Sequence, residues 1–127
     1  AAPRDLAHYL AAEHATVVYE PRRGLDLDQH MAEQGLSRRF TVMVPSFSAL
    51  PAFLRGTRLL ATAPGLMAHQ SFTGLASCVP PLSCPGLPMY AIWHGRYQQD
   101  SAHRWLRAEL ASVVQALPGL RPAADAR

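Results

Sequence analysis

A chain of 127 residues has room for one ordinary domain with a real core but is too short for two full lobes. Apolar residues make up 49% and charged residues 17%, and no apolar run approaches the roughly 20 residues a membrane span needs, so a transmembrane segment is excluded and a soluble protein is expected. The net charge is +3, and all 12 basic residues are Arg, scattered apart from the pairs Arg22-Arg23 and Arg38-Arg39, which leaves no continuous cationic face for a nucleic-acid groove.

The opening Ala1-Ala2-Pro3-Arg4-Asp5 has no basic region followed by an apolar stretch, so no secretory signal is expected and a cytoplasmic location is. Asp5 is placed to cap a short helix through Leu10, after which Ala15-Thr16-Val17-Val18-Tyr19 reads as a buried strand, β-branched and uncharged. Pro21 and Gly24 break it. Asp26 or Asp28 can cap a second helix to Gln34, stopped by Gly35. From Arg38 to Val44 the pattern alternates, Phe40, Val42 and Val44 on one face and Thr41 and Met43 on the other, a strand signal ended by Pro45. A helix over 47–55 follows, with Ser46 or Ser48 as cap, Gly56 as stop and Pro51 removing one backbone hydrogen bond.

Leu59 to Ala63 reads as another short strand, and Pro64 opens a helix to about Gln70. From Ser77 to Pro88 the chain is a Pro-rich connector carrying both cysteines, Cys78 and Cys84, at a spacing that fits no common metal motif; two reduced thiols are the expected state. Leu87 to Trp93 reads as a last strand. A final helix begins at Asp100 or Ser101, with Leu106, Leu110, Val113 and Leu117 as a packed stripe, stopped by Pro118-Gly119 ahead of a tail, 118–127, expected to be disordered. Strands alternating with helices predict an α/β fold with a mostly parallel sheet. In such sheets ligands sit beyond the carboxyl ends of the strands, here Tyr19-Glu20, Pro45-Ser46-Phe47 and Thr62-Ala63-Pro64.

Groups that could support catalysis do not converge. There is no His-Glu-x-x-His helix, no Gly-x-Ser-x-Gly elbow and no Gly-rich phosphate loop, so no catalytic residue, metal or cofactor is expected. His94, beside Trp93, is the best general-base candidate, and a structural hydrogen-bonding role suits it better. His103, three residues after Asp100, sits in capping geometry. His8, His14, His30 and His69 read as surface or helix-face residues. Val44-Pro45-Ser46-Phe47-Ser48 carries the strongest binding signal, because a strand ends there and a helix opens with free backbone N–H groups, hydroxyls and an aromatic wall. On the residues alone, a helix cap plus one core aromatic accounts for it better, since every helix needs a cap.

The arrangement Trp93-His94-x-Arg96-x-x-x-Asp100-x-Ala102-His103-Arg104-Trp105-Leu106-Arg107 entering a final helix resembles the end of the effector-binding region of LysR-type transcriptional regulators. The resemblance extends upstream through Asp26-Leu27-Asp28, 34–39, 44–51 and 60–64, covering most of residues 5 to 117. It implies a periplasmic-binding-protein-like (type 2) α/β architecture, of which residues 1–85 look like the second lobe and 86–117 like the strand and helix that return to the first. It also implies a small-molecule inducer in the cleft, no enzyme activity, and DNA contact only through an N-terminal winged helix-turn-helix not contained in this sequence. By position, Tyr19, Glu20, Ser46, Phe47, Ser48 and Thr62 become ligand contacts, which reverses the preference for a plain cap. Trp93-His94-x-Arg96 is most similar to the nodulation and aromatic-degradation branch, responsive to aromatic acids or phenols. That branch often has His at the position of Ser46, which leaves a neutral or differently substituted ligand open. The resemblance further implies a dimer or tetramer joined through the helix Asp28 to Gln34 and the strand Arg38 to Val44, with Met31 as an exposed interface residue. A solute-binding protein of a transport system shares the architecture and is the alternative.

Overall fold

The computed structural model describes residues 2–19 and 23–117, with His69 as backbone only. Contacts divide the chain between Gly86 and Leu87 into two compact units. Each is described by itself.

In unit 1, helix α1 (Leu6–Ala11) starts as its sequence predicts, with Asp5 Oδ1 accepting the N–H of His8 at 2.7 Å. Strand β1 (Glu13–Val17) and strand β2 (Arg39–Val44) form a parallel pair, joined by helix α2 (Asp26–Glu33). No side chain among the described residues caps α2; its N-cap position is Leu25, and its two first-turn carboxylates, Asp26 and Asp28, act through charge. Gly35 ends the helix with φ of +71°, a conformation glycine adopts without a Cβ clash. After β2 comes a tight 3-10 turn, Phe47–Ala49, running into the short helix α3 (Leu50–Leu54), with Pro51 tolerated in the first turn.

The sheet is narrower than expected. Leu60 makes one rung with β1, donating to Glu13 O at 3.0 Å and accepting from Ala15 at 2.8 Å, and the predicted strand 59–63 goes no further. Thr62 is tied to Tyr9 and Arg38, and Pro64 has no N–H to donate, so the ladder stops there. The helix expected after Pro64 is a 3-10 turn, Gly65–His69.

The ladder slips by one residue between His14 and Ala15, passing over Thr41. Val42 and Val44 therefore share the face of Ala15 and Val17, packing with Leu50, Phe47 and Leu54, whereas Phe40 pairs with His14 and leaves that face. The other face carries Tyr9, Leu27 and Met31 from the helices, backed by Leu36, Leu60 and Leu82. A fully buried side chain such as Val17 or Leu50 contributes about 1.5–3 kcal/mol. Met31, expected as an exposed interface residue, is 1% exposed and part of this core.

In unit 2, the expected strand from Leu87 to Trp93 is not formed. A strand exists only through a partner ladder; none lies beside this segment among the described residues, Pro88 lacks a donor, and Ile92 is 91% exposed. Helix α4 (Ser101–Ala116) is formed and capped by Asp100, whose Oδ1 accepts the His103 N–H at 2.9 Å. Its stripe Leu106, Leu110, Val113 and Leu117 is not packed but 40–58% exposed. Glu20, the Pro118-Gly119 stop and the tail 118–127 lie outside the described residues.

Candidate ligand-binding site

The carboxyl edge of the parallel pair gathers Tyr19 and the segment 45–48, because Val18 N–H continues the ladder onto Val44 O at 3.0 Å. Tyr19 then exchanges two backbone hydrogen bonds with Arg23, at 2.8 and 2.7 Å. Ser46 is extended and makes no side-chain cap; its hydroxyl pairs instead with that of Ser48 at 3.0 Å. One hydroxyl hydrogen and further lone pairs of this couple remain for another partner. Phe47, between the two serines in sequence, is half-buried and packed against the Ala15–Leu50 core, which leaves part of it accessible. Tyr19, Ser46, Phe47 and Ser48 thus lie along one edge.

Thr62 is placed differently. Its hydroxyl is 2.6 Å from the Tyr9 hydroxyl and accepts from Arg38 Nη1 at 3.3 Å. This belongs to a buried polar network invisible to local sequence reading. The Arg38 guanidinium, fully buried, donates twice to Asp28 Oδ1, at 2.9 and 2.6 Å, and once to the Tyr9 hydroxyl at 3.1 Å. Tyr9 O accepts from His14 Nε2 at 2.8 Å, and the two rings meet edge to face. His14 is 0% exposed, contrary to the surface role expected of it; burial first, then the nearby Arg38, lowers its pKa below the usual 6.5. His14 Nδ1 and Thr16 Oγ1 have no hydrogen-bond partner among the described residues. The available signal was His14 and Thr16 alternating with Ala15 and Val17 in a strand without charge. Both faces of such a strand are covered, and its polar members need partners.

Cys78 and Cys84 are free, exposed thiols, and partial desolvation raises the Cys84 pKa. No group of three or more His, Cys, Asp or Glu is arranged around a common point among the described residues. In unit 2, His94 Nδ1 accepts the Arg96 N–H at 3.1 Å, a turn-capping role. The surrounding motif is a locally closed corner. Trp93 Nε1 donates to Gln98 Oε1 at 2.7 Å, Arg107 lies 4.6 Å over the Trp93 ring and donates to Gln98 O at 2.9 Å, and His103 stacks on Tyr97 at 4.3 Å.

Fold and motif together define an α/β lobe built on a parallel strand pair. The structure is similar to the regulatory domain of MexT, a transcriptional activator in Pseudomonas aeruginosa, with a TM-score of 0.63 and 26% identity over 88% of this chain and 57% of that one. In sequence the chain is 30% identical to the HTH-type transcriptional activator NagR of a Ralstonia species over 83% of its length. It is 31% identical to NahR of Pseudomonas putida over 83%, and 34% identical to nodulation protein D 3 of Rhizobium leguminosarum bv. phaseoli over 72%. No protein-family model matches the chain. It spans about a third of the length of these relatives, 36% of the first two. These relatives are LysR-type regulators, and the match falls in their C-terminal region. No helix among the described residues is long and apolar enough to cross a membrane.

Proposed function

We propose that this chain is the effector-binding portion of a LysR-type transcriptional regulator, without catalysis, and that Tyr19, Glu20, Ser46, Phe47, Ser48 and Thr62 line or support the inducer site. The observation that carries the reading is the similarity of most of the chain to transcriptional activators, combined with a parallel edge where an aromatic and two paired hydroxyls face outward. Tyr19, Phe47 and the serines are direct contacts. Thr62, with its hydroxyl engaged by Tyr9 and Arg38, fixes the third segment of the edge and contacts ligand through what remains of its surface.

Residues 1–85 form the second lobe in this reading, and 86–117 the strand and helix that complete the first. The exposed apolar stripe of α4 and the unpaired segment 87–93 support that assignment, since both carry side chains suited to a core. A ligand in the cleft favours one lobe arrangement, and a homo-oligomer passes that preference to winged helix-turn-helix heads supplied by the rest of the protein. Self-association runs through α2 and the open edge of β2, where Met43 is 61% exposed. DNA is contacted only by the heads, and the protein works in the cytoplasm.

Phe47→Ala tests the site. In a two-lobed protein titrated calorimetrically with aromatic acids and phenols, it is expected to weaken inducer binding about tenfold or more while leaving the unfolding free energy within about 2 kcal/mol of wild type. Unchanged affinity would remove Phe47 and its neighbours from the site.

A further inference from the structure

We infer a second binding site, for a small oxyanion of the phosphate class, at the amino-terminal edge of unit 1. A hollow of about 250 Å³ lies there, floored by Ala12 and Leu60 and walled by Arg4, His8 and Arg58. The fold brings these groups together. Leu60 bonds to Glu13 at the first residue of β1, so Arg58, two residues earlier, arrives beside the start of α1, with Arg4 just ahead of the helix and His8 within it.

The polar side chains of the wall present donors only. The guanidinium groups of Arg4 and Arg58 have no carboxylate partner among the described residues, whose ion pairs are Arg23–Asp26, Arg38–Asp28 and Arg39–Glu13. His8 Nδ1 accepts the Arg4 N–H at 3.3 Å, which makes Nε2 the protonated, donating nitrogen of the neutral ring. The carboxylate nearest in sequence, Asp5, is turned to the backbone as the cap of α1 and does not face the hollow. Among the described residues no Asp or Glu lines it. Two guanidinium forks and one imidazole N–H select a ligand that only accepts, and oxyanions match the fork geometry. The concave shape suits a small free anion, since a duplex backbone would need cations strung along a face. The hollow lies at the opposite end of the strands from Tyr19 and Ser46, so this site is independent of the inducer site.

Titration of the whole chain with inorganic phosphate, at ionic strength held constant with sodium chloride and followed by the arginine side-chain Nε–H resonances in NMR, tests the assignment. Saturable shifts confined to Arg4 and Arg58 are expected, with affinity falling at least about tenfold in the double variant Arg4→Gln/Arg58→Gln. Far-UV circular dichroism checks that the variant keeps the fold, as its two exposed positions allow. Non-saturating shifts, shifts of equal size at Arg96 and Arg104, or binding retained by the folded double variant would overturn it.

Discussion

A guanidinium with no exposed side-chain surface is stable only when its charge and donors are met, and Arg38 meets them with Asp28, Tyr9 and Thr62. Asp28→Ala leaves that cation buried and uncompensated. It is expected to lower the urea-unfolding free energy by about 3 kcal/mol, and replacing both members, Arg38→Met with Asp28→Leu, should restore most of the loss. His14 responds to acid for the same reason. Its folded pKa is depressed, so below about pH 6.5 the unfolded chain binds a proton that the folded chain refuses. Stability is therefore unaffected at higher pH and falls as pH drops through that range, by up to about 1.4 kcal/mol per pH unit. Urea midpoints of wild type and His14→Gln should converge in shape only above the range; parallel curves down to about pH 5 would show that His14 carries none of the acid sensitivity.

At the scale of elements, the readable features are those written in neighbouring residues. Asp5 and Asp100 cap α1 and α4, and Gly35 and Gly56 take positive φ where helices were expected to stop, at +71° and +72°. Asp100→Ala should weaken α4 by about 1 kcal/mol, seen as faster amide exchange in its first turn with unit 1 unchanged. What could not be read depends on distant partners. The slip at Thr41 is set by where β1 lies, not by the alternation of Phe40, Val42 and Val44. Leu59–Ala63 and Leu87–Trp93 have strand composition, yet pairing decides whether a strand forms, and it gives the first a single rung and the second none. The Arg38 network escaped because its members are spread over 53 residues of chain, from Tyr9 to Thr62. For the candidate site, the strand end marked 45–48 and Tyr19 in advance, while the engagement of the Thr62 hydroxyl needed the fold.

For the molecule as a whole, the self-association proposed above would use Met43, exposed on β2, rather than the buried Met31. Met43→Glu is expected to shift sedimentation of the chain toward monomer; an unchanged distribution would place self-association elsewhere. The chain spans about a third of the length of its relatives. The central claim, an effector-binding region of a LysR-type regulator, is tested most directly by reading the gene upstream of the Ala1 codon. The account predicts the opening half of the first lobe, preceded by a winged helix-turn-helix. An export signal there, with no DNA-binding head, would contradict it and make the protein a transport receptor.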